Sequence, residues 1–142
     1  MAGAQELADQ DVRAFNEQNL EGKLRIASPE LEFVVPGATL HGPDETAAFA
    51  RALWEAFPDA RITPGARVAT GSRAAIEGSF TGTHLGTLHT PGGDIPATGR
   101  SVDFRCVVLY EVAAARIGSK HFYFDRMELM TQIGAMPALA EG

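Results

Sequence analysis

Apolar and polar side chains alternate most clearly between Ser101 and Asp125, where Val, Phe, Tyr and Leu dominate two runs separated by Ala113-Ala114-Ala115-Arg116-Ile117-Gly118. β-Branched and aromatic residues at a two-residue period predict a pair of neighbouring antiparallel strands with a reversal between them. Earlier segments carry a different period. Ala8, Val12, Phe15 and Asn19 recur at helical spacing within 5–20, and Ala50, Leu53, Trp54 and Phe57 do so within 43–57, which predicts two amphipathic helices covering a sheet. Gly22 is expected to interrupt the first helix, with Lys23 to Ala27 adding a further turn before Ser28-Pro29 stops the helical pattern. Pro43-Asp44-Glu45 is a suitable opening for the second helix, because proline tolerates a first turn and acids favour its positive end.

Glu30 to Val35 reads as a short strand closed by Pro36-Gly37, and 61–69, 73–80 and 83–90 read as three more. Pro91-Gly92-Gly93-Asp94 is a turn signal. Arg126 to Gly134 predicts a short helix or irregular cap, and the last eight residues a loose tail. Two helices followed mainly by strands give an α+β order rather than repeated βαβ units, within one domain spanning 1–142 and a core of about 12–134. A strongly curved mixed or antiparallel sheet wrapped over the N-terminal helices would form a cone with a pocket between the layers.

Strand parity groups Asp103, Arg105, Val107, Leu109 and Glu111 on one face of the first strand of the hairpin. It groups His121, Tyr123 and Asp125 on one face of the second, with Phe122 and Phe124 opposite. Proton-exchanging groups sharing a face predict a polar-lined cavity, with Tyr123, Arg105 and Asp103 among its lining residues, Trp54, Phe57, Phe33 and Val35 as apolar walls, and Phe15 and Val107 as further ligand-contact candidates. Each also has an ordinary structural role available, and a buried charge without a partner would be costly.

Composition narrows the partners. The net charge is −6, from 12 basic and 18 acidic residues, with no basic run, so neither nucleic acid nor an anionic membrane is expected. A hydrophobic small molecule would not be repelled. Cys106 is the only cysteine, which leaves no internal disulfide and no cysteine-based zinc cluster. The four histidines form no compact metal motif, and Gly92-Gly93 lacks the Lys-Ser/Thr context of a phosphate loop. With no leader-like start and no run of about 18 apolar residues, a cytoplasmic protein is the expectation.

Four fragments in order carry a resemblance: Phe57-Pro58-Asp59, Gly82-Thr83-His84-Leu85-Gly86, Ile95-Pro96-Ala97-Thr98-Gly99-Arg100, and Tyr123-Phe124-Asp125 with Thr131-Gln132-Ile133-Gly134. From Val12 to Gly134 the chain resembles the SnoaL-like polyketide cyclase family of the nuclear-transport-factor-2-like superfamily. The resemblance implies a cone-shaped α+β barrel, often a homodimer through the outer face of its sheet. Fold alone does not fix function in this superfamily. Ketosteroid isomerase-like members place an acidic base near Val35, a tyrosine near Phe15 and an oxyanion-supporting acid near Val107, and all three groups are missing here. Epoxide hydrolase-like members share an acid matching Asp125 but hold water where Phe33 and Val35 stand.

Cyclase-like members use an aspartate matching Asp125 as proton acceptor and donor in intramolecular aldol closure of an aromatic ketone. His84 resembles a further pocket residue of that family, and His121 joins it on parity. An apolar cavity would raise Asp125 toward a useful basicity, and the scheme requires no metal or organic cofactor. Two other readings remain open: a noncatalytic small-molecule-binding or protein-association module, and a cofactor-free oxygenation-associated protein. An Asp125 facing an enclosed cavity would support catalysis; one facing solvent would support a structural role.

Overall fold

The computed structural model describes residues 3–136; the expected loose tail lies, from 137 onward, outside them. Helix α1 (Ala4–Asn16) buries Leu7, Ala8, Asp11, Val12 and Phe15 along one stripe. It ends before the predicted break. Gln18 adopts a left-handed φ of 53°, and the Asn19 side chain accepts from Gly22 N at 2.9 Å to open α2 (Leu20–Arg25). Gly22 therefore lies inside the second helix, where a Cβ would sit 2.6 Å from the capping amide of Asn19.

Strand β1 (Ala27–Val35) begins earlier than expected and includes Ser28-Pro29. Proline is tolerated there because the pairing register with its neighbour shifts between Ala27 and Glu32, an irregularity where a missing ladder donor costs little. Strand β2 (Ala38–His41) and helix α3 (Gly42–Ala56) follow. Next come β3 (Arg61–Thr70) and β4 (Arg73–Thr83). The predicted strand over 83–90 is not continuous: residues 84–87 leave the sheet, and β5 (Leu88–Thr90) pairs only with β6 (Gly93–Ile95). Strands β7 (Ser101–Ala113) and β8 (Arg116–Phe124) form the predicted hairpin. Its turn is Ala114-Ala115, with φ of 51° and 62°, the left-handed pair that suits a two-residue reversal between twisted strands.

The main sheet runs β2-β1-β8-β7-β4-β3. It is antiparallel except where β1 lies parallel to β8. Register shifts in β1, β3 and β7 bend it, and its concave face closes over α1 and α3. This is the α+β cone expected from the sequence. Packed aromatics run through the core, from Phe57 to Phe80, Phe104 and Phe124 with centroids 5.7, 4.9 and 5.3 Å apart in turn.

Parity groups the hairpin residues as expected but with the faces reversed. Val102, Phe104, Cys106, Val108 and Tyr110 of β7 and Lys120 and Phe122 of β8 are buried toward the helices. Asp103, Arg105, Leu109 and Glu111 are exposed, and so is Tyr123 beside half-buried Val107 and His121; this is the outer surface of the sheet. Helix α4 (Arg126–Gln132) closes one end, inserting Leu129 while Met127 stays exposed. No helix among the described residues is long and apolar enough to cross a membrane.

The glycines of Gly82-Thr83-His84-Leu85-Gly86 have a steric purpose. The main chain there passes against the C-terminal end of α3, where Leu85 N and Gly86 N both donate to Ala56 O at 3.1 and 3.2 Å. A Cβ on Gly86 would overlap the Glu55 carbonyl oxygen. Gly86→Ala is accordingly expected to lower stability by about 1–3 kcal/mol, the usual cost of forcing extra volume into a packed contact. Urea unfolding of the variant beside wild type measures it.

Candidate functional site

Four titratable side chains from four elements meet inside the cone. Asp11 stands one helical turn from both Leu7 and Phe15, on the apolar stripe of α1. Lys23 comes from α2, Tyr110 from β7 and Lys120 from β8. Lys23 Nζ donates to Asp11 Oδ1 at 2.8 Å. Tyr110 OH donates to Asp11 Oδ2 at 2.8 Å, and Lys120 Nζ lies 3.0 Å from that same oxygen. None of the four is more than 6% exposed. Lys120 Nζ also sits 4.4 Å above the centroid of Phe33, and Lys23 Nζ 5.5 Å from that of Phe15, within the range of a cation over an aromatic face.

Burial alone would raise the Asp11 pKa, but the ammonium groups of Lys120 and Lys23 overcome that and hold the carboxyl well below its ordinary range. For Lys120, burial dominates in the other direction. Its pKa falls to about 8, with Asp11 opposing the fall and Lys23 adding to it. Burial and then the neighbouring Asp11 charge raise Tyr110 well above its usual value, so it remains a neutral donor. The quartet therefore combines a fixed anion, a phenol and an amine able to exchange its proton at mildly basic pH.

A space of about 30 Å3 opens beside this quartet, with Phe15, Phe33, Phe49 and Phe122 among its apolar walls and Thr46 on the α3 side. That is on the scale of a water molecule or a small polar group. This space is too small for the aromatic ketone expected from the resemblance.

The residues expected to form the site are dispersed. Asp125 does not enter the cone: it is exposed and caps α4, its Oδ1 accepting from Met127 N at 2.9 Å and Glu128 N at 3.3 Å. Its proximity to the end of β8 explains why it completes a strand motif, and the helix N-terminus explains why an acid is suited to that place. His121 lies on the outer face with Nδ1 3.0 Å from Tyr123 OH. His84 is fully buried, but at the junction of α3 and the 84–100 excursion, with Nδ1 2.9 Å from Thr98 Oγ1 and its ring 5.5 Å from that of Phe57. Burial pushes its pKa down, partly offset by the backbone of Gly86 and Ile95. Asp125, His84 and His121 thus share no cavity, and the expectation that Asp125 faces an enclosed pocket beside His84 or His121 is corrected.

Of the other candidates, Phe15 and Phe33 line the interior space. Trp54 packs 5.7 Å from Phe15 without reaching it, and Val35 is core. Arg105, Val107, Tyr123 and Asp125 surround a depression on the outside of the sheet, and Asp103 is exposed, its backbone held by Gln132 at 2.7 and 2.8 Å. The interior polar residues had a signal of their own. Asp11 interrupts an apolar helical stripe, and Lys120 shares parity with Phe122 and Phe124. A charged residue at an apolar-parity position marks a buried charge more directly than a row of polar residues does.

Outside the cone, Val34, His121, Leu109, Ala75 and Val68 stand directly opposite one another across five strands. Val68 is 67% and Leu109 41% exposed, and a groove of about 500 Å3 runs over this row beside Arg73 and Glu111.

Removing Asp11 would leave two buried lysines without their shared acceptor, so Asp11→Ala is expected to cost about 3–5 kcal/mol. Lys120→Met retains the Asp11–Lys23 pair and fills the space with an apolar side chain, and its cost should be far smaller. Chemical denaturation of the two variants at neutral pH checks the order.

A profile of the SnoaL-like domain matches residues 8–119, most of the chain. Solved structures share the fold. A candidate polyketide cyclase from Pseudomonas putida KT2440 is 21% identical, with a TM-score of 0.82 over 93% of this chain and 98% of that one. The candidate hydroxylase AclR from Streptomyces galilaeus is 20% identical, with a TM-score of 0.80 over 97% and 89%. An NTF2-like protein of unknown function from Burkholderia pseudomallei K96243 is 22% identical, with a TM-score of 0.78 over 94% and 98%. No curated protein matches the chain. At these identities the neighbours establish the fold, whereas the profile match establishes the family: the chain belongs to the SnoaL-like domain family.

Proposed function

We propose that this protein acts on a ketone-bearing hydrophobic small molecule by cyclase-type proton transfer and aldol ring closure, with Lys120 rather than Asp125 as the base. The observation that carries the reading is Lys120 itself: a buried amine, lowered to about 8, beside the only polar cluster that lines the interior space among the described residues. General bases work best when their pKa lies near the operating pH.

The neutral Lys120 amine removes a proton from the carbon next to the ketone, leaving an enolate and a Lys120 ammonium. The enolate carbon attacks a second carbonyl of the same molecule, forming the new carbon–carbon bond. The resulting alkoxide takes the proton back from Lys120, so the product is an isomer of the substrate. Charge is favourable at each stage. With Lys120 neutral, Asp11 and the Lys23 ammonium balance; after proton transfer, the added positive charge faces the enolate in a water-poor site where such attraction is strong. The enolisable end of a ketone occupies the existing space, and a larger substrate displaces Phe49 and Leu53 of α3.

A noncatalytic protein-association module is the second reading, favoured by the small interior volume of about 30 Å3 and by the groove of about 500 Å3 on the outer sheet face. The homodimer belongs to the proposal as well. The row from Val34 to Val68, apolar except for His121 and most exposed at Val68 and Leu109, would pair with its own copy through the outer sheet face.

Deuterium exchange at the methyl group of acetophenone in heavy water, followed by proton NMR, tests the base. Wild type should accelerate exchange with a rate that climbs as pH passes about 8. Lys120→Met should lose about 100-fold or more of that acceleration, within the range of a general base, and Asp125→Asn should keep it. Equal acceleration by Lys120→Met would overturn the assignment, and no acceleration by wild type would favour the association module.

A further inference from the structure

The same quartet carries an unbalanced charge and unused donors. With both lysines protonated, Asp11 offsets one of two positive charges, so the buried cluster is left at +1. Each ammonium has three N–H donors, yet among the described residues Lys23 Nζ and Lys120 Nζ each have Asp11 as their one side-chain acceptor. Thr46 Oγ1, on a residue 3% exposed, also has no hydrogen-bond partner, and Thr46 lines the same space. Buried donors without acceptors are costly, and a buried net charge more so. One anionic group with two or more acceptor oxygens would satisfy the charge and these donors together.

Size and surroundings define that group. The space of about 30 Å3 admits a group of a few atoms, such as a carboxylate, and not a whole aromatic ring. The rest of the wall is aromatic and aliphatic, with Phe15, Phe33, Val108 and Phe122 presenting nothing to a second charge. We propose that the interior of the cone is a binding site for a hydrophobic monocarboxylate, whose carboxylate accepts from Lys23, Lys120 and Thr46 in the existing space while its apolar part displaces Phe49 and Leu53 and lies against Phe15, Phe33 and Phe122. This rests on the same site as the ketone reading but not on turnover: it names carboxylate-bearing molecules as substrates, products or inhibitors.

The groups facing Lys120 are Asp11 from α1, Lys23 from α2 and Tyr110 from β7, and they set how its proton is linked to the ligand. An anion stabilises the Lys120 ammonium, so at a pH above about 8, where the free site has lost that proton, binding must take one up. The linkage runs in one direction. Affinity is highest where Lys120 is already charged and declines as pH rises past that point.

Isothermal calorimetry of the full chain with benzoate and its neutral isostere benzamide, at about pH 7 and about pH 9 in buffers of different ionisation heat, tests the proposal. Benzoate should bind at least about tenfold more tightly than benzamide at the lower pH. At the higher pH it should bind more weakly and take up a proton from the buffer. Lys120→Met should abolish both the preference and the uptake, and Thr46→Val should weaken benzoate by a few-fold while leaving the uptake in place. Equal affinity for benzoate and benzamide, or benzoate binding without proton uptake at about pH 9, would overturn it. Should Lys120→Met fail to fold, the two wild-type measurements still decide. Benzoate binding with proton uptake in a protein that does not exchange acetophenone would support this site and remove the ketone reading. The reverse result would remove this site alone.

Discussion

The carboxylate of Asp11 is the point on which the interior depends. It ties α1 to α2 through Lys23, to β7 through Tyr110 and to β8 through Lys120, at distances of 2.8, 2.8 and 3.0 Å. Tyr110 lies 99 residues from Asp11 in sequence, so this one group closes the loop between the first helix and the last long strands. Such a cluster is a doubtful source of stability, since desolvating three charges opposes their attraction. What it fixes is placement: one anion holds two cations from different elements beside an apolar space.

Charge at that point also unites the two proposals made for the site. A neutral Lys120 leaves the quartet balanced and able to accept a proton. A protonated Lys120 leaves it at +1 and able to hold an anion. On the proposed reading, an enolate formed by the first state would be held by the second, so that proton abstraction and anion binding share one set of side chains without a second base.

Much of the architecture was legible in the chain. The helical stripes, the long hairpin and the resemblance carried by Gly82-Thr83-His84-Leu85-Gly86 and its companion fragments led to the cone, because local periodicity and turn chemistry are local properties. The inward face was not legible from polar spacing. Both faces of β7 carry apolar residues, Val107 and Leu109 outside and Val108 and Cys106 inside, so alternation gives the grouping but not its direction. His121, Tyr123 and Asp125 form a polar row because they meet solvent, an outer surface or a helix N-terminus. The informative residues were those that broke a pattern: Asp11 on the apolar side of α1 and Lys120 beside Phe122 and Phe124. Their partnership spans four elements and depends on tertiary closure, which no local window contains.

The central claim is that Lys120 is a buried amine that releases its proton far below the range of an exposed lysine. Carbon-13 NMR titration of lysines labelled at Cε, with Lys120→Met to assign the resonance, measures this directly. The account requires a Lys120 midpoint near 8; a midpoint at or above about 10.4, the value of an unperturbed lysine, would contradict it.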